Sequence, residues 1–320
     1  MNEYNKEKGE RAKSYMKLIK FLANPGRFSL TILGDRGVGK KFAIETAFEE
    51  IKSIKDNCLN TLGFIDAAEL PENEKDIDKL LESNDKGILV VEDVEQLNST
   101  QQKLLFKAMQ TVDGTFGIDK KHYELRMVFT SSAPINQLRT SNEQLQGYFW
   151  DRISQLIVYF PNFEEEGTFI VSDFKSIWRK MKFENIENFK HLASTPNLVH
   201  LESFLENNKA IFEGNFRDLD KLAIMFFNYR ILYYGEIKKI NREIEKKVFE
   251  SVKNDFLMRA QLKNPSLSDL SFFKIREGFS MQELKIQFNN RVKEWGRNKY
   301  KTIAAAERKL GLGQGTMKNY

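Results

Sequence analysis

Cysteine is almost absent from this 320-residue sequence: Cys58 stands alone, which excludes an internal disulfide and a thiolate metal cluster. Histidine is as scarce, and His122, His191 and His200 are scattered without ligand spacing, so no zinc site is expected. Proline and glycine are also few, 6 and 18, a balance that favours helices. No segment approaches the ~20 apolar residues of a membrane helix. The amino-terminal stretch MNEYNKEKGERAKSYMKLIKFL mixes acids with bases and lacks a signal peptide's apolar core. The chain is therefore expected to use no membrane, and the expected compartment is the cytoplasm.

What is present is core material. Hydrophobic residues make up 41% of the chain and include 26 Phe, enough to exclude wholesale disorder, and the length fits two or three domains. The net charge of +5 is unevenly placed: from Glu236 to Tyr320 bases outnumber acids almost two to one, whereas residues 1 to 235 carry a slight excess of acid. A basic carboxy-terminal third suits phosphate contacts with nucleic acid, and equally suits a solvated helical surface.

Periodicity divides the chain further. FSLTIL (28 to 33), TLGFIDA (61 to 67), GILVVED (87 to 93), LRMVFTSS (125 to 132) and QLIVYF (155 to 160) read as strands. Between them, KKFAIETAFEEIKSI and QQKLLFKAMQT have helical spacing, with Phe42, Ala43, Ala47, Phe48 and Ile51 on one face. The alternation predicts an α/β fold with a parallel sheet covered on both faces over residues 1 to 163. A smaller helical domain follows over 164 to 235, and an all-α region over 236 to 320. In the last, Ile240, Ile244, Val248, Val252 and Phe256 recur at i+4 steps.

Two motifs carry chemistry. Gly34-Asp35-Arg36-Gly37-Val38-Gly39-Lys40 fits the pattern G-x-x-x-x-G-K between a strand and a helix. There the glycines let backbone N–H groups turn around phosphate oxygens, and Lys40 reaches the outer phosphates. Lys41 follows, where Ser or Thr normally holds Mg²⁺. The second motif, Ile88 to Asp93, is an apolar strand ending in Glu92 and Asp93, placed to hold Mg²⁺ through water and to polarise an attacking water. The usual order is Asp-Glu, and a carboxylate displaced by about one bond can cost ~10²-fold in rate, so binding is expected to outlast hydrolysis.

Residues 25 to 225 resemble the AAA+ domain of bacterial enhancer-binding proteins, the NtrC-type transcription activators. The resemblance rests on LGDRGVGKKFAIETAF, FIDAAELPEN, GILVVEDVEQLNSTQQKLLFKAMQ, MVFTSSAP, LQGYFWDRISQLIVYFPNF and GNFRDLDKL. The resemblance implies ATP with Mg²⁺ as cofactors and a helical lid; the family's glycine loop itself lacks the Ser or Thr and usually has Glu where this chain has Lys41. Ser131 or Ser132 would sense the γ-phosphate, Arg217 would sense the nucleotide from the lid, and Arg152 would act as an arginine finger in a neighbouring subunit. Self-association as a dimer or ring follows from such use. At the position of the family's second arginine in that stretch stands Gln146. The family's GAFTGA loop, which grips the alternative sigma factor of RNA polymerase, has no counterpart: only Glu74 to Lys86 fill the interval.

The carboxy-terminal residues resemble a Fis-type helix-turn-helix, with a support helix over Thr302 to Leu310 and a recognition helix over Gln314 to Tyr320. That resemblance implies double-stranded DNA as a partner. Arg297, Lys299, Lys301, Arg308, Lys309 and Lys318 would meet phosphates, and Gln314, Thr316, Lys318 and Asn319 base edges. The leading expectation is an ATP-binding transcription regulator that works without the sigma-factor loop, through RNA polymerase or another transcription factor. The alternatives are an AAA+ motor remodelling another protein or DNA, and a pseudo-ATPase scaffold on DNA. Residues 1 to 27 precede the first strand, so no receiver-like domain is expected in the chain.

Overall fold

The computed structural model describes residues 9–23, 29–53, 59–110, 117–118, 121–140, 145–166, 169–181, 191–196, 199–234, 241–263, 293 and 302–309. The chain divides into two compact units, Met1–Ile231 with Glu236–Lys239, and Leu232–Gly235 with Ile240–Tyr320.

Five short strands form the sheet of the first unit: β1 (Leu30–Leu33), β2 (Leu62–Asp66), β3 (Ile88–Glu92), β4 (Arg126–Ser131) and β5 (Leu156–Tyr159). Their order is β2-β3-β4-β1-β5, and the four pairings are parallel. β1, β3 and β4 are buried almost end to end, which is why they read as continuous apolar runs and not as alternating ones. Each strand is a little shorter than its apolar run. β3 stops at Glu92 because Asp93 turns into the left-handed region at φ 53°, which breaks the ladder.

Successive side chains of a strand point to opposite faces, so each strand feeds two cores. Ile88 and Val90 pack with helices α1 (Glu10–Ala23) and α2 (Lys40–Lys52), through Tyr15, Leu18, Ala47 and Phe48. Leu89 and Val91 pack on the other face with α3 (Glu74–Ser83), α4 (Ser99–Ala108) and, beyond α5 (Ile135–Thr140), α6 (Gly147–Ile153), through Ile77, Leu81, Leu105 and Phe149. Side chains of this size contribute about 1.5–3 kcal/mol each when fully buried. The interval from Glu74 to Lys86 is α3 and the turn that enters β3; α3 starts where the Asn73 side chain accepts the N–H of Asp76 at 3.0 Å. Asn98 and Gln101 close a reciprocal capping box at the start of α4.

Helices α7 (Phe163–Glu166), α8 (Ile170–Lys180), α9 (Val199–Asn207) and the first part of α10 (Phe216–Tyr234) continue the first unit. Trp178 centres them, with Phe174, Phe226 and Phe227 around it, and its indole N–H donates to the Ala193 carbonyl at 2.9 Å. Arg230 is fully buried beside Trp178 and donates to the carbonyls of Leu192 and Ser194, which satisfy its guanidinium in place of water.

α1 ties this helical group to the sheet. Ser14 and Lys17 donate to the carbonyls of Tyr159 and Ile157 on the edge strand β5, covering backbone that is otherwise open to pairing. At its start, Arg11 forms a buried ion pair with Asp173 of α8 at 2.8 Å and lies over the rings of Phe163 and Phe216. The Arg11 N–H donates to Glu166 at 2.7 Å, while the other Glu166 oxygen is enclosed without a hydrogen-bond partner among the described residues.

In the second unit, α11 (Arg242–Lys263) buries Val248, Val252 and Phe256 in a single i+4 stripe, and the Tyr234 hydroxyl donates to the Asn241 carbonyl. Helix α12 (Ile303–Lys309) lies within the span expected for the support helix. No helix among the described residues is long and apolar enough to cross a membrane.

The Arg11 cluster yields two expected outcomes. Asp173→Ala leaves a buried guanidinium without its anion and should cost about 3–5 kcal/mol in denaturant unfolding of the full chain. Burial raises the Glu166 carboxyl above its ordinary value, against the opposing pull of Arg11. The folded state therefore holds that proton more tightly than the unfolded chain, and stability is lost as pH rises from the ordinary carboxyl value through the raised one. Melting curves at about pH 4 and about pH 7 should show Glu166→Gln gaining on the parent at the higher pH; an unchanged difference refutes the assignment.

Candidate functional site

The loop from Gly34 to Lys40 joins β1 to α2 at the carboxyl end of the sheet, where the strand order reverses and ligands settle in doubly wound folds. Gly37, at φ 77°, cannot carry a side chain: a Cβ there would lie 2.1 Å from the Gly214 carbonyl oxygen. The loop is thus pressed against the turn before α10. Lys40 folds over it, donating to the carbonyls of Gly34 at 2.6 Å and Asp35 at 3.2 Å, with the Ser132 hydroxyl at 3.4 Å. Burial pushes the Lys40 ammonium below its ordinary range, and the charges of Asp93, Glu95 and Asp35 partly restore it.

The ends of β3 and β4 supply the facing wall. Asp93 accepts from the Ser132 hydroxyl at 3.4 Å, and Glu92 pairs with Lys41 at 3.2 Å. The Lys41 ammonium also lies 4.3 Å from the centre of the Phe64 ring. Of the two serines, Ser132 lines the cavity, as does Thr130; Ser131 is fully buried and its hydroxyl accepts the Ala133 N–H. Glu95 was not singled out in the sequence, yet one of its oxygens accepts the Ser132 N–H at 3.1 Å and the other is enclosed without a partner among the described residues.

The third wall is the turn Gly214-Asn215-Phe216-Arg217. Asn215 sits at φ 49°, a conformation its short amide side chain tolerates, and is almost fully buried. Its amide donates to the Arg36 carbonyl at 3.1 Å and accepts the Phe163 N–H at 3.0 Å, and the Phe216 N–H donates to the Gly37 carbonyl. These bonds bring Arg217 to the rim, with Asp220 one turn later; burial raises the Asp220 carboxyl. Asn215 lies in the GNFRDLDKL segment but was not itself singled out; its local signal is an Asn following Gly at a helix start.

The three walls enclose a cavity of about 700 Å³, within the usual range for a small-molecule site of ~300–1,000 Å³. Arg36, Gly37, Val38, Gly39, Lys40 and Lys41 line it from the loop side, and Glu92, Asp93, Ser132 and Arg217 face them. Of the expected residues, Gly34, Asp35, Ser131 and Arg152 are not among those that line it. The Asp35 carboxylate accepts from Asn162 at 2.8 Å, and the Arg152 guanidinium donates to the Met109 carbonyl; neither lines the cavity. Among the described residues no group of three or more His, Cys, Asp or Glu is placed to hold a metal ion. Of the expected DNA contacts, Arg308 is exposed on α12, and Lys309 is the last residue of that helix. Arg297, Lys299, Lys301, Gln314, Thr316, Lys318 and Asn319 lie outside the described residues.

Residues 19–163 match the family model of the sigma-54 interaction domain. Comparison with curated proteins gives no match. Among solved structures, NtrX from Brucella abortus in complex with ADP is similar at a TM-score of 0.55 and 14% identity, covering 97% of this chain and 67% of that one. NtrX from the same organism in complex with ATP follows at 0.51 and 13%, covering 96% and 66%. This chain thus spans about two thirds of the NtrX chains, and likeness at such identity shows the fold. The sheet order, the glycine loop and the family match agree, and together they support an AAA+ domain of the NtrC type over residues 19–163.

Proposed function

We propose that this chain is an ATP-binding AAA+ transcription regulator of the cytoplasm in which nucleotide occupancy matters more than turnover. The observation that carries the reading is the convergence of Lys40, Ser132 and Arg217 on one cavity at the start of α2. Backbone N–H groups of Gly37 to Lys40 and the positive end of α2 take the β- and γ-phosphates. Lys40 exchanges its two loop carbonyls for phosphate oxygens, Ser132 holds the γ-phosphate from the sheet, and Arg217 closes from the lid.

The Mg²⁺ that the family resemblance implies does not fit the residues present. The position after Lys40 holds an ammonium in place of a hydroxyl, and that ammonium already engages Glu92. No step is therefore routed through a metal. Asp93 is the remaining acid for orienting a water. Being one carbon shorter than the usual Glu, it favours slow hydrolysis, which supports a binding switch over a motor. Arg152, bonded to Met109 within its own chain, acts on a neighbour only after that bond is broken, as assembly into a dimer or ring would require.

The partners in this reading are double-stranded DNA, met by the basic carboxy-terminal region including Arg308 and Lys309, and RNA polymerase or another transcription factor. Domain limits are 1–163 for the α/β part, 164–235 for the lid and 236–320 for the DNA-binding region. Because α3 and its turn fill the interval from Glu74 to Lys86, the reading assigns no GAFTGA loop and no sigma-factor remodelling.

Titration of the full chain with a labelled, slowly hydrolysed ATP analogue tests the site. Removal of a charge-assisted contact costs about 1.5–3 kcal/mol, so Lys40→Ala should weaken binding by about ten- to a hundredfold while leaving the melting temperature near that of the parent. Equal binding by parent and variant overturns the assignment.

A further inference from the structure

We propose that Lys41 is the resident cation of this site, and that the site takes a nucleoside triphosphate in its metal-free form. The inference rests on the nucleotide reading above. In many P-loop NTPases the divalent ion is held between two protein positions, the hydroxyl residue after the loop lysine and an acid at the end of a neighbouring strand; the family this chain resembles usually has Glu at the first, so Lys41 puts a positive charge where that family has a negative one. Here those two positions are Lys41 and Glu92, and they are joined to each other, Nζ to Oε2, at 3.2 Å. An ammonium has donors and no lone pair, so it cannot ligate a metal; it can only replace one.

Lys41 is held toward the strand ends from two sides. Phe64 of β2 presents its ring 4.3 Å from the ammonium, and Asp66, two residues on and so on the same face of the strand, is the register partner of Glu92. A divalent ion drawn to Glu92 would enter beside a positive charge already bound there. The Lys41 side chain is 52% exposed and that of Glu92 29%. With three donors, the ammonium can meet an arriving phosphate oxygen while it still engages Glu92. With Lys40 on the inner side of the loop and Arg217 on the lid, three cationic side chains then meet the phosphates. Metal-free triphosphate, more anionic than its magnesium complex, is the form those three charges complement.

The test is equilibrium binding of labelled ATP analogue to the full chain in excess Mg²⁺ and in EDTA. The parent should bind as tightly in EDTA as in Mg²⁺, within about threefold. Lys41→Thr, which supplies the hydroxyl and frees Glu92, should instead become at least about tenfold tighter in Mg²⁺ than in EDTA, a gap of about 1.4 kcal/mol. Glu92→Gln, whose side chain keeps the shape without the charge, should bind the analogue at least as tightly as the parent in both buffers, and this arm stands if Lys41→Thr misfolds. Parent binding that falls tenfold or more in EDTA overturns the inference and leaves the nucleotide site intact. Lys41→Thr that folds and stays indifferent to Mg²⁺ overturns the role of Lys41. Absence of binding in either buffer overturns the nucleotide reading and this inference together.

Discussion

The approach of one turn to another governs this molecule. Gly37 and Gly214 meet so closely that no side chain fits between them, and Asn215 is anchored to the Arg36 carbonyl on one side and to Phe163 on the other. Because the amide of Asn215 both donates and accepts, it fixes the glycine loop, the start of the helical group and the first turn of α10 with one side chain. The position of Arg217 is a consequence of that anchor. Two residues past Asn215 and at the first turn of a long helix, it has little freedom other than to face the loop. Three hydrogen bonds thus tie the glycine loop, the start of α7 and the turn before α10 together.

A second tie runs behind the first. Arg11 stacks on Phe216, the neighbour of both Asn215 and Arg217, while its guanidinium is paired with Asp173 and its backbone with Glu166. Since α1 also covers the edge of β5, the helix bridges the sheet and the helical group. A buried ion pair of this kind adds little net stability over an apolar contact, yet breaking it is costly. Its effect is thus on specificity: it disfavours any arrangement of the helical group that pulls Asp173 from Arg11.

Much of this was legible in the sequence because it depends on local pattern. The five strands appear as apolar runs since their central members are buried on both faces, and the glycine loop declares itself by spacing alone. What was not legible depends on pairing between distant residues. Arg11 reads as one more charge in an amino-terminal stretch that mixes acids with bases, because nothing nearby in the sequence announces Asp173 or Phe216. Ser131 is the last residue of β4 and Ser132 the first beyond it, so a one-residue uncertainty in the strand end exchanges them. Glu95 lies beyond the acids that the motif singles out, in a one-turn 3₁₀ helix whose geometry turns it back toward Ser132. The Arg152 guanidinium was expected to point outward to a neighbour, and its bond to the Met109 carbonyl belongs to a contact across α4 and α6 that no short motif encodes.

The two departures in the motifs, Lys at the position after the loop lysine and Glu-Asp in place of Asp-Glu, are physically one change. A longer acid at position 92 brings its carboxylate toward the start of α2, where a lysine is long enough to meet it; an Asp there would sit one carbon further back. The shorter acid at 93 stays close to the strand end, where it holds the Ser132 hydroxyl rather than extending into the cavity. Lys41 and Glu92 meet as one ion pair, and Asp93 is left to the Ser132 hydroxyl. A site so arranged keeps the loop, the serine and the lid arginine that hold phosphates. In the proposed reading the carboxylate most needed for metal is engaged and the one most needed for water is shortened, so binding free energy is retained while the interactions made only in a hydrolytic transition state are weakened.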